Sequence, residues 1–199
     1  MGSIPEPLDV LPEEFSTIGA MLQRVMGFVP NSILTLARRP HLARSIMPML
    51  AFIGSDDCLI ENELRPLIAY MASYGAGCRY CQAHNSQVAA IAGVAPEKIA
   101  NLWRFEESDL FDERERAALA FAFAAGQQPS DATEADFDKL ARHFSKDEMI
   151  DLAGIIGIFG FLNRWNDMMM TPLEALPAQT AASLLVGSGW DAGKHAGSK

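Results

Sequence analysis

The chain has 199 residues, with 25 acidic against 16 basic side chains for a formal charge of −9, and 49% of its residues are hydrophobic. That is enough apolar material for one domain with a substantial core, which excludes a disordered tail protein. A pI near 4.9 and the lack of any Lys/Arg cluster argue against a nucleic-acid or anionic-membrane surface, since both rest on phosphate neutralisation.

No apolar run reaches the roughly 20 residues that a bilayer crossing needs. The longest, Leu152 to Leu162, is closed by Asp151 and Arg164. The opening Met1-Gly2-Ser3-Ile4-Pro5-Glu6 has neither the basic start nor the apolar centre of a secretory leader, so a cytoplasmic protein that meets small molecules or protein partners is expected.

Apolar residues recur at helical spacing, and no alternating β-branched run is bounded by hairpin turns, so the fold class expected is all-α. A first helix is expected over residues 12–26, with Phe15, Ile18, Leu22, Val25 and Met26 on one face. Two short helices follow, about 32–38 and 40–52, then a loop at 54–57. The next helix spans about 61–73, where Pro66 limits the possible start because proline is tolerated only in the first turn. Gly75-Ala76-Gly77 ends it, and the following helix runs from Cys78 to about Ala92.

Pro96 suits the first turn of a short helix reaching about Trp103. Three later starts carry capping boxes: Asp112-x-x-Glu115, Thr133-x-x-Asp136 and Ser145-x-x-Glu148. The last opens the longest helix, about 146–170, stopped by Pro172. Its Gly154, Gly157 and Gly160 give a smooth face that a neighbouring helix could approach, inside the core or between subunits. Residues 1–176 read as a single domain with a redox core at about 55–130. Residues 177–199 read as a small-residue-rich tail, partly mobile apart from Leu184, Leu185 and Trp190.

The chemistry is concentrated in Tyr74-Gly-Ala-Gly-Cys78-Arg-Tyr-Cys81-Gln-Ala-His84-Asn85. A cysteine at a helix N-terminus faces unpaired backbone N–H groups and the positive end of the helix dipole, which favours thiolate. Cys81 lies one turn on, so the pair can close a disulfide without unwinding the helix. His84 lies a further turn along that face, where a histidine can take or return a proton. This is the minimum for a peroxide-reducing dithiol, in which one sulfur becomes a sulfenic acid and the other condenses with it. Zinc held by Cys78, Cys81 and His84 is the chemical rival, although His41, His143 and His195 are scattered singly and are expected at the surface or in caps. Cys58 stands alone as a small residue at the edge of the core. Asn163-Arg164-Trp165-Asn166-Asp167 has a double reading: a far wall of the site, or an Arg164–Asp167 pair beside a packed Trp165.

The run Leu64-Arg65-Pro66-Leu67-Ile68-Ala69-Tyr70-Met71-Ala72-Ser73, then Gly77-Cys78-Arg79-Tyr80-Cys81-Gln82-Ala83-His84, resembles the carboxymuconolactone decarboxylase family in its alkylhydroperoxidase D-like branch. Phe111 to Leu119, His143-Phe144-Ser145 and Phe161 to Asp167 extend the resemblance over about residues 12–173. It implies a compact helical bundle that assembles as homotrimers or homohexamers and needs no cofactor. It further implies a thiol-dependent peroxidase, served by a thiol reductant, in which Cys81 attacks the peroxide and Cys78 resolves. The helix dipole alone favours Cys78 for the attack. The decarboxylase that names the family lacks the cysteine pair, so lactone decarboxylation is the alternative activity, and a redox-sensing or zinc-binding oligomer a third. Two positions depart from the family pattern. Its relay glutamate falls at Pro66, twelve residues before Cys78, for which Glu63 is the candidate substitute, and its relay histidine falls at Asn85, one residue after His84. Tyr70 is a candidate pocket hydroxyl.

Overall fold

A computed structural model describes residues 4–197 as helices α1 (Ser16–Met26), α2 (Asn31–Leu36), α3 (Pro40–Ile53), α4 (Leu64–Gly75), α5 (Arg79–Ile91), α6 (Pro96–Ala100), α7 (Glu113–Gly126), α8 (Glu134–Leu140), α9 (Lys146–Met169) and α10 (Ala175–Leu184). Short 3-10 turns precede α1 and follow α6 and α10. The described residues include no strand, as the helical periodicity requires.

Helix α4 is the centre. All ten residues from Leu64 to Ser73 are buried, because α4 is wrapped by α5, α7 and α9. Each fully buried Leu, Ile or Met there contributes about 1.5–3 kcal/mol relative to exposure. Pro66 sits in the first turn, where its missing N–H has no intrahelical partner to lose. Two glycines allow the α4–α7 approach: a Cβ on Gly126 would collide with the Ala72 carbonyl, and one on Gly75 with that of Phe123.

The loop before α4 is clamped by a buried guanidinium. Arg65 donates to the carbonyls of Ile60 at 2.6 Å, Ile53 at 2.9 Å, Ser55 at 3.0 Å and Cys58 at 2.8 Å. All three capping boxes form at Asp112, Thr133 and Ser145, and Glu148 is held down to a pKa of about 2 by the Ser145 N–H and hydroxyl, with Arg114 adding to them.

Several expectations need correction. The described part of the tail, to residue 197, folds back on the body: α10 packs on α5, Trp190 Nε1 donates to the Arg79 carbonyl at 3.1 Å, and Leu173 N donates to the His195 carbonyl at 2.8 Å. Alanine-rich residues at helical spacing explain this, since Ala181 is fully buried. His195 is buried as well, with Nδ1 2.8 Å from the Thr171 carbonyl. The Arg164–Asp167 pair does not form; Arg164 donates to Gln128 at 3.0 Å and Asp167 pairs with Lys194 at 2.8 Å. Trp165 does pack, stacking on Phe161 at 5.9 Å. A Cβ on Gly157 or Gly160 of α9 would meet open space.

Candidate active site

Cys78 is the N-cap of α5, with extended backbone (φ −80°, ψ 101°). Gly77 supplies the turn before it at a φ of 73°, a left-handed conformation that favours glycine. Cys78 N donates to the Ser73 carbonyl at 3.0 Å, tying the start of α5 to the end of α4. The two cysteines are free, 1% and 2% exposed, and form a small cluster with Tyr80 that Phe159, Leu162 and Leu173 cover.

The sulfurs differ in what surrounds them. A hydrogen bond from the Cys81 thiol pulls the Cys78 thiol below the ordinary range; burial opposes this, and the N–H groups of Cys81 and Tyr80 reinforce it. Burial, and then the Cys78 sulfur itself, push the Cys81 thiol well up. These directions favour charge on Cys78, as the helix N-terminus does, whereas the family resemblance implies attack by Cys81. The Asn166 side-chain amide reaches the Cys81 sulfur from α9 at 3.4 Å.

His84 is buried one turn beyond Cys81, with its ring stacked on Tyr80 at 4.3 Å and edge-on to Phe28 at 5.7 Å. Its Nε2 lies 2.7 Å from Glu174 Oε2. The Tyr80 hydroxyl donates to Glu174 Oε1 at 3.0 Å and accepts from Ser32 N at 3.3 Å, and the backbone N–H of Asn31 also donates to Glu174. Burial alone would raise the Glu174 carboxyl, but His84 and the backbone N–H groups of Asn31 and of Glu174 itself outweigh it and leave the group below its ordinary value.

Of the remaining candidates, Glu63 caps α4 at the opposite end from the cysteines. Ten helical residues separate it from Ser73, about 15 Å along the axis, so it cannot serve the pair. Tyr70 lies in the main core, stacked on Tyr74 at 6.2 Å, with its hydroxyl unpartnered among the described residues. Asn85 is buried on α5 with Nδ2 similarly unpartnered. Glu174 and Thr171 were invisible to motif reasoning because they sit some 90 residues downstream; Pro172, which stops α9 and starts the return toward α5, was the nearest signal. Among the described residues no three His, Cys, Asp or Glu side chains converge as metal ligands, and no helix is long and apolar enough to cross a membrane.

Residues 40–124 match the carboxymuconolactone decarboxylase family. The chain is 36% identical to the debrominase Bmp8, covering 92% of this chain and 99% of that one with a TM-score of 0.84. Bmp8 has also been solved as a cysteine-to-alanine variant in complex with 2,3,4-tribromopyrrole. An uncharacterized peroxidase-related protein of Ralstonia eutropha, an alkylhydroperoxidase AhpD core, is 26% identical, with 89% and 96% coverage and a TM-score of 0.73. The uncharacterized protein YnjA of Escherichia coli is 24% identical over 170 residues, 85% of this chain and 93% of that one. On the helical fold, the family match and the near-complete overlap with Bmp8, the chain belongs to the carboxymuconolactone decarboxylase family.

Proposed function

We propose that the protein is a thiol-dependent peroxidase acting on hydrogen peroxide or organic hydroperoxides. The observation that carries this reading is Cys78 at the N-cap of α5 with Cys81 one turn on in the same buried cluster. That arrangement supplies a thiolate and a second thiol one turn away. The Cys78 thiolate attacks one peroxide oxygen and the O–O bond breaks. The departing hydroxide or alkoxide takes up a proton, for which His84 is the donor, and Cys78 is left as a sulfenic acid. The Cys81 thiol gives up its proton, its sulfur attacks the Cys78 sulfur, the hydroxide that leaves takes up that proton and departs as water, and a disulfide closes. A thiol reductant, protein or small molecule, returns two electrons and two protons.

A second reading is favoured by the 36% identity to the debrominase Bmp8 and by the apolar cover of Phe159, Leu162 and Leu173. Here the substrate is a brominated aromatic ring. Sulfur takes the bromine, the bonding pair stays on carbon, and carbon is protonated. The other sulfur then displaces bromide, and the disulfide that results is the same. Self-association as a homotrimer or homohexamer belongs to the proposal too, supported by the open α9 face of Gly157 and Gly160 beside exposed Ile150 and Met168.

The test compares wild type, Cys78→Ser, Cys81→Ser and His84→Ala with dithiothreitol present, following loss of cumene hydroperoxide and, separately, bromide release from a bromopyrrole. One of the two substrates is expected to turn over, with at least about a hundred-fold loss in either cysteine variant, as removal of a covalent nucleophile entails. Equal rates in all four proteins, or turnover of a lactone acid without need of either cysteine, would overturn it.

A further inference from the structure

Whichever sulfur attacks first, the Cys81 sulfur must become an anion, when it closes the disulfide or when a reductant opens it. Its surroundings work against this. Burial disfavours the charge, and the titratable groups that face it, Cys78 and Asp167, disfavour it further. The opposing contact comes from α9, where Asn166 Nδ2 donates to Cys81 Sγ at 3.4 Å.

That amide is enclosed, with its oxygen toward Thr171 and its NH₂ toward the sulfur. Asn166 is 1% exposed, and the Thr171 hydroxyl donates to its Oδ1 at 2.9 Å. In this arrangement the hydroxyl serves as donor to the oxygen and the NH₂ as donor to the sulfur. Thr171 is itself held in two ways: its N–H donates to the Asn166 carbonyl at 3.1 Å, and its own carbonyl lies 2.8 Å from Nδ1 of buried His195. A neutral donor gains strength when its acceptor becomes charged, so it favours thiolate over thiol.

We propose that Asn166 is a catalytic residue of the dithiol cycle, the donor that stabilises the Cys81 thiolate, and that Thr171 is the positioning residue that aims it. The inference rests on the redox reading of the cysteine pair, but its test needs no peroxide. In a Cys78→Ser background, the alkylation of Cys81 by iodoacetamide is followed against pH by peptide mass spectrometry, which separates it from Cys58.

Removing one hydrogen bond to an anion should raise the midpoint by about one pH unit in Asn166→Ala, with alkylation about ten-fold slower below it. Asn166→Asp, which keeps the shape but sets a carboxylate beside the sulfur, should raise it further. Thr171→Val should move it in the same direction by less, and Thr171→Ser should restore the parent profile. Thermal unfolding of each variant reports whether the fold is intact, and the isosteric Asp and Val variants carry the test if the alanine variant does not fold. An unchanged or lowered midpoint in the Asp and Val variants would overturn the inference. A raised midpoint in a protein that reduces neither peroxide nor bromopyrrole would leave it standing and remove the proposed function instead.

Discussion

Glu174 Oε2 lies 2.7 Å from His84 Nε2, joining residues 90 positions apart and occupying one of the two ring nitrogens. With Nε2 engaged, Nδ1 is the nitrogen left for proton exchange. Glu174→Gln is therefore expected to lower turnover by about 10–100-fold, the scale of losing a partner that orients a reactive histidine, while leaving the first alkylation of Cys78 near the wild-type rate. Turnover in the variant within two-fold of wild type would mean that His84 needs no carboxylate.

The same contact has a stability signature. The Glu174 carboxyl lies below its ordinary value of 4.5 in the folded protein, so the stability it contributes is in place above that pH. It is lost as pH falls through the folded value. Thermal unfolding of wild type and Glu174→Gln should differ at pH 7 and converge toward pH 3, read at about 2–4 °C per kcal/mol for a domain this size. A difference that grows in acid would contradict the assignment.

The two sulfurs should be distinguishable by trapping. With Cys78 as the thiolate, Cys81→Ser treated with one equivalent of peroxide accumulates a dimedone-reactive sulfenic acid on Cys78. Cys78→Ser reacts slowly near neutrality and faster as pH rises, because burial holds the Cys81 thiol up. Sulfenic acid forming on Cys81 at the wild-type rate would restore the order of attack that the family resemblance implies.

Arg65, almost wholly buried, makes four hydrogen bonds to carbonyl groups, three in the loop before α4 and one at the end of α3. Lysine cannot reproduce that fork, so Arg65→Lys should cost about 2–4 kcal/mol, the scale of leaving buried carbonyls unpaired beside a misplaced charge. Chemical denaturation measures this directly, and a loss under 1 kcal/mol would show that the loop holds without the clamp.

Gly126→Ala places a methyl group against the backbone of Ala72. Backbone cannot swing aside as a side chain can, so α4 and α7 must separate, at a cost of about 1–3 kcal/mol or more. Gly157→Ala on α9, where a Cβ meets open space, should be neutral or slightly stabilising in a monomer. If the α9 face is buried between copies, the same change weakens association, which sedimentation would detect.

The helices and the cysteine pair were legible because local rules dictate them. Capping boxes at Asp112, Thr133 and Ser145 announced α7, α8 and α9, and the spacing of Cys78, Cys81 and His84 follows from one turn of helix. What was hidden depends on the chain returning from afar. Glu174 carries no motif; it becomes the partner of His84 only because α9 stops and α10 folds back on α5. The small-residue tail suggested mobility for a related reason, since Ala and Gly declare no face of their own, yet it delivers a buried His195 onto the Thr171 carbonyl. The unformed Arg164–Asp167 pair marks the same limit: Gln128 and Lys194, both distant in sequence, win those side chains.

The most direct test of the redox account is the state of Cys78 and Cys81 after the reduced protein meets one equivalent of a hydroperoxide or a bromopyrrole. Peptide mass spectrometry should find the two joined as a disulfide, two hydrogens lighter, with Cys58 unmodified and dithiothreitol reversing the change. Both thiols remaining free after either substrate has been consumed would contradict the account.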